Sequence, residues 1–177
     1  MLLGDEPLRA LLDPHGLLAE GRALPALEQT YLIYGQRGDG TIPISLWRNQ
    51  ADRFFGAKLG WTVEKRYEAT ALPERDAASL MVFAGERRGT RAVITRPSTP
   101  DDHALAEALE HQQGTYGLAL LARRCPRVWL VESEGPWDPV SLLVAAVIAS
   151  VELGPIVDPG REALFGVKTA RAKLDAP

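Results

Sequence analysis

Hydrophobic positions along this chain change period several times, and each change marks a new element. Residues 30–34 are β-rich and aromatic and read as a strand. The strand runs into a turn-forming segment, 35–40, where Gly35, Gly38 and Gly40 permit positive φ. After Pro43, Ser45 is expected to cap a helix in which Leu46, Trp47, Ala51, Phe54 and Phe55 recur at helical spacing, with Gly56 and Gly60 weakening its end. Residues 61–67 then alternate. Trp61, Val63, Lys65 and Tyr67 fall on one side, and Thr62, Glu64 and Arg66 on the other, as in a half-buried strand. Two further β-rich runs, 79–84 and 90–95, flank Gly85-Glu86-Arg87-Arg88-Gly89 and predict a hairpin with a charged tip.

The clearest helix start follows. Thr99 can cap, Pro100 suits the first helical position, and Asp101 and Asp102 lie in the first turn, where the helix dipole favours negative charge. That helix should end near Gly114. A second, over 116–124, is stopped by Pro126. Residues 128–131 are wholly apolar, which predicts a central strand buried on both faces. Asp138 is the expected N-cap of an all-apolar helix that Gly154 ends, and 155–157 form a short extended piece. Strand, helix and strand in that order make a βαβ-like unit. The tail from Glu162 reads as weakly helical. The first 29 residues carry leucines broken by Pro7, Pro14, Gly16, Gly21 and Pro25, which predicts a helical or irregular extension packing on the body. The expected fold is a single α+β domain over 1–177. It has a mixed, mainly antiparallel sheet of about five strands with helices mostly on one face.

Composition narrows the class. An apolar content of 46% with 24% charged residues belongs to a globular domain rather than a disordered chain. The formal net charge of −3 gives no general drive toward nucleic acid. The longest uncharged apolar run, 140–151, would span roughly 18 Å as a helix, well short of the ~30 Å of a bilayer core, so no membrane association is expected. A single cysteine, Cys125, excludes an intramolecular disulfide. Met1-Leu2-Leu3 runs straight into Gly4, Asp5 and Glu6 without a basic-then-apolar signal segment, and the expected location is cytoplasmic. Nearly balanced charge is compatible with self-association into a homo-oligomer.

Candidate chemistry is sparse. Glu132, Glu134 and Asp138 follow the central strand, where ligand sites of open sheets favour the strand ends. With His103 they make the acid–base or divalent-metal set of a small hydrolase or nuclease. Each also has a structural explanation, Asp138 as a cap and the glutamates as solvated groups. His103 and His111 are two helical turns apart, unlike zinc pairs at i and i+4. The arginine beside Cys125 suits a reactive thiolate, although a lone cysteine next to a core strand is more often packing. The glycine loop matches neither phosphate-binding pattern, and no cofactor or metal motif is present. Glu64 and Arg66 lack the lysine that a nuclease strand requires. The absence of a convergent catalytic set favours a non-catalytic module that binds another protein, with Trp47, Phe55, Trp137, Arg87 and Arg88 as its contact residues. A long apolar helix running into glycine and a short strand also resembles the ending of several small bacterial immunity domains, over roughly a fifth of the chain. The expected role is that of an adaptor, accessory or immunity-type protein, to which the likeness adds only an analogy.

Overall fold

The computed structural model describes residues 30–38, 42–63 and 78–176. The N-terminal extension, residues 39–41 of the glycine segment and the alternating run from Glu64 onward lie outside them. In chain order the described elements are β1 (Thr30–Gly35), α1 (Ile44–Phe55), β2 (Lys58–Val63), β3 (Ala78–Ala84) and β4 (Arg87–Pro97). They continue with α2 (Pro100–Gln113), α3 (Leu118–Arg123), β5 (Arg127–Glu132), α4 (Pro139–Glu152), β6 (Ile156–Val157), β7 (Leu164–Phe165) and α5 (Val167–Asp175).

The strands form one open sheet in the order β2-β3-β4-β5-β1-β6-β7, and every neighbouring pair is antiparallel. This is the expected α+β class, with seven strands among the described residues where about five were expected. The added β7 lies in the tail read as helix, which becomes helical only from Val167. β5 and β6 run the same way, as the strand–helix–strand order requires. β1 is inserted between them and pairs with both, so their two ladders are antiparallel. β5 is the middle strand, and Val128, Trp129, Leu130 and Val131 are all buried.

Period-two alternation sends β5 side chains to two separate cores. Trp129 and Val131 join Tyr31, Ile33 and Val93 under α1, α4 and α5. Val128 and Leu130 join Leu32, Tyr34 and Ile94 under α2 and α3. Three of the five described helices therefore share one face. α4 is apolar all round because it lies between the sheet and two other helices; every residue from Val140 to Ala149 is buried.

The ends of the helices are set locally where a cap exists and by packing where it does not. Thr99 and Asp102 form the expected capping box of α2, and Asp138 accepts from Val140 N at 3.0 Å to cap α4. Ser45 does not cap α1. The helix starts at Ile44 after Pro43, with no side-chain cap, because Ile42 and Trp47 are drawn into the core on either side of its first turn. Gly154 is not the C-cap of α4 either: Leu153 takes the left-handed conformation at φ 59°. Gly154 is instead required by proximity, since a Cβ there would come 1.8 Å from the Tyr34 carbonyl oxygen.

Candidate functional site

The acidic residues beyond β5 meet, but on a cation. Arg91 on β4 shares its alternation with Val93 and Thr95, so its side chain enters the α4 face of the sheet. Its side chain is only 5% exposed. There Nη2 lies 2.8 Å from Asp138 Oδ2 and 3.2 Å from Glu134 Oε2, while Nε donates to Asp138 Oδ2 at 2.9 Å and to Ser141 Oγ at 2.8 Å. Asp138, 8% exposed, also accepts from the Glu134 and Val140 amides and the Ser141 hydroxyl. Burial pushes its carboxyl pKa up. The hydrogen bonds from Ser141, the Glu134 amide and Arg91, with the charge of Arg91, outweigh that and hold it below the ordinary aspartate value. Arg91, Ser141 and the Glu134 amide all meet at Oδ2, and Oδ1 caps α4 through the Val140 amide, so this carboxylate is committed to holding Arg91 and the start of the helix.

Glu132 is turned elsewhere and accepts from the Ala92 amide at 3.2 Å. Among the described residues no group of three or more His, Cys, Asp and Glu side chains could hold a metal ion. His103 does not join the cluster. It lies on α2, on the other face of the sheet, with Nε2 3.5 Å from the carbonyl of Cys125, which precedes β5, whereas Glu132 closes it. The length of the central strand, roughly 17 Å for six residues, separates the two. The arrangement fastens β4 to the start of α4 and fixes the loop that carries Trp137. Arg91 was legible only as an arginine on the apolar side of an alternating strand.

Cys125 is buried, and its Sγ donates to the Leu121 carbonyl at 3.3 Å. Burial first, and then the charge of Glu152, push the thiol up to about 11, the reverse of the lowering that neighbouring arginines suggested. It stays protonated at neutral pH.

The residues proposed as protein contacts divide into two groups. Trp47 is 0% exposed and packs edge-on against Trp129 at 5.1 Å between ring centroids, so it is a core residue and offers no contact surface. Arg88 points to the sheet face opposite α4, beside exposed Phe83, its neighbour across the hairpin. The other three converge on α5. Its buried Ala170 and Leu174 form an i, i+4 stripe, which places Arg171 and Lys173 on the two flanks of the helix. The Arg171 guanidinium lies 5.6 Å from the ring centre of half-buried Phe55, and Lys173 Nζ lies 3.9 Å from that of Trp137. Arg87 Nη2 donates to the Leu174 carbonyl at 2.5 Å, at the helix C-terminus where a cation is favoured.

Trp137 is 39% exposed, its ring is 5.7 Å from Phe165, and its backbone sits at φ 62°. A bulky side chain in the left-handed region is strained by about 1–2 kcal/mol, and the bonds of Asp138 and Glu134 on either side hold it there. Lys168, Arg171 and Lys173 are all exposed, so the outer side of α5 is a cationic surface with aromatic rings at its edges, on a chain of net negative charge. A separate cleft of about 430 Å³, lined by Leu118, Leu121, Ala149, Leu153, Pro155 and Val167, opens between α3 and the adjoining ends of α4 and α5.

Compared with protein-family models, curated proteins and solved structures, the chain matches none of them.

Proposed function

We propose that this protein is a non-catalytic protein-binding module, of the adaptor, accessory or immunity type, working in a bacterial cytoplasm. Its contact surface is the face around α5. One observation carries the reading: Phe55, Trp137 and Arg87, from three distant segments, all gather at this helix, and Trp137 is kept partly exposed at the expense of backbone strain. Half-exposed aromatic rings beside guanidinium and ammonium groups are the composition of interface hot spots. Three exposed cations on one helix favour a partner that presents carboxylates. The bonds that tie Asp138 to Arg91, Ser141 and the first turn of α4 support a structural assignment for the acidic cluster.

The test is affinity capture of the tagged full chain from cells that encode it, alongside Trp137→Ala and the charge reversal Arg171→Glu/Lys173→Glu. Wild type should retain a stoichiometric protein that dissociates as salt rises, and both variants should lose it while keeping the wild-type circular dichroism spectrum. Capture of no stoichiometric partner, or undiminished capture by the variants, would refute the reading.

A further inference from the structure

The cleft between α3 and the adjoining ends of α4 and α5 lies in an uncovered apolar surface. Leu118 and Leu121 of α3 line it together with Leu153, Pro155 and Val167. Leu153 is 61% exposed, and Leu120, on the side of α3 away from its buried Ala119 and Ala122, is exposed as well. Apolar side chains gathered on one part of a surface mark a place that another molecule covers. This place is separate from the Trp137 ring. α4 is 14 residues long, so the cleft at its C-terminal end is about 20 Å from Trp137 at its start.

A projection stands beside this recess. Tyr116, in the turn between α2 and α3, is 94% exposed, the most exposed large hydrophobic side chain among the described residues, and it precedes Leu118 by two positions. The turn that presents it is fixed. The Thr115 amide donates to the Glu110 carbonyl at 3.2 Å, and Gln113 Nε2 donates to the Leu164 carbonyl at 2.9 Å. Leu153 is held out in a similar way. Its backbone keeps the left-handed φ of 59°, and Gln36 Nε2 donates to its carbonyl at 2.7 Å. A leucine kept in strained backbone at the rim of an apolar cleft points to a contact made by its side chain.

We propose that the cleft and Tyr116 are the self-association surface of this chain, independent of the α5 face. In a two-fold dimer the Tyr116 ring of each copy enters the cleft of the other, against Leu153. A two-fold contact uses the same patch on both copies, so it needs a projection and a recess side by side, and this surface has both. The cleft, of about 430 Å³, has room for a phenol ring. Charge agrees with the exchange. Glu110, whose carboxylate accepts from the Ala119 amide at 2.9 Å, lies at the Tyr116 end, and exposed Lys168 in the first turn of α5 lies at the cleft end. The two-fold therefore brings opposite charges together. The patch comprises about a dozen residues per copy, against the 20–30 of a standard interface, so the dimer dissociates in the micromolar range.

Sedimentation equilibrium of the full chain from about 1 to 300 µM should show a monomer–dimer equilibrium. Tyr116→Ala removes a solvated ring, so it should keep the wild-type circular dichroism spectrum and weaken the dimer at least about tenfold. Leu153→Gly should also weaken the dimer while making the monomer more stable, two effects of opposite sign that a purely structural leucine would not give. Trp137→Ala should leave the dimer unchanged, which separates this surface from the α5 face. Chains carrying Tyr116→Cys and Leu153→Cys, mixed and oxidised, should form a disulfide-linked pair of one with the other faster than either chain alone, since the native Cys125 is buried. A monomer at every concentration overturns the proposal, whether the thiol of Leu153→Cys is then open to iodoacetamide, as in a cleft left for another protein, or shielded, as by the segment before β1 seated in it. A dimer that Tyr116→Ala and Leu153→Gly leave undiminished overturns it equally.

Discussion

Asp138→Asn tests the geometry at the start of α4 most directly, because it removes a charge while keeping the shape. Asparagine caps helices about as well as aspartate, so the bond to the Val140 amide survives. What is lost is the counter-charge of Arg91, whose side chain is 5% exposed and would then face only Glu134, 75% exposed at 3.2 Å. Breaking a buried ion pair by removing one partner costs about 3–5 kcal/mol, and the remaining contact to Glu134 puts this case near the lower end, about 3 kcal/mol. For a chain of this length that is a fall in Tm of roughly 6–12 °C. Urea unfolding followed by circular dichroism measures the free energy, and a cycle with Arg91→Met isolates the pairwise part. The double variant should recover at least about 2 kcal/mol relative to the sum of the single losses, since it leaves no buried charge unpaired.

The pH dependence has a definite sign. The folded-state pKa of Asp138 lies below its unfolded value, so its contribution is complete above about pH 4 and fades as pH falls through the folded value. The gap between wild type and Asp138→Asn should therefore be constant from pH 5 to 8 and narrow below about pH 4. A single-variant loss under about 1 kcal/mol, or additivity within about 0.5 kcal/mol, would show that Arg91 and Asp138 are not coupled as described.

Three further outcomes are expected. Gly154→Ala, whose Cβ would collide with the Tyr34 carbonyl, should cost at least about 3 kcal/mol, whereas Gly135→Ala, with nothing within 4 Å, should stay within about 0.5 kcal/mol; thermal unfolding of the pair decides it. Leu153→Gly should stabilise by about 1 kcal/mol, because Leu153 is exposed and held at φ 59°, and calorimetry showing a loss would contradict a strained cap. Cys125, with its thiol pushed up to about 11, should resist iodoacetamide at pH 8 in the folded protein and react once urea unfolds it; mass spectrometry showing rapid native alkylation would refute its burial.

Much of the fold was legible in the pattern of residues. Wherever side chain and backbone interact within a few positions, the reading and the structure agree. The capping box of Thr99 and Asp102, the Asp138 cap, the hairpin between β3 and β4 and the doubly buried run of β5 are all of this kind. Where packing overrides a local preference, they part. Ser45 lost the N-cap of α1 to the burial of Ile42 and Trp47, and Gly154, read as the stop of α4, is a glycine because the Tyr34 carbonyl lies against it, while Leu153 takes the left-handed cap.

The candidate sites were less legible, for a physical reason. Aromatic and cationic residues are visible in a sequence, but their exposure depends on what another element lays over them. Trp47 and Trp137 look alike as letters, and only the sheet and α5 make one a core residue and the other a surface one. Arg91 and Arg127 both stand on strands with apolar neighbours. Strand register alone turns each inward and gives Arg91 a carboxylate 47 positions away while giving Arg127 a threonine hydroxyl. Short-range periodicity and capping account for most of the elements, the α+β class and the buried central strand, and these were readable in the residues. Which charges are paired and which rings reach solvent were decided by the tertiary structure, because each depends on a long-range neighbour that no local pattern encodes.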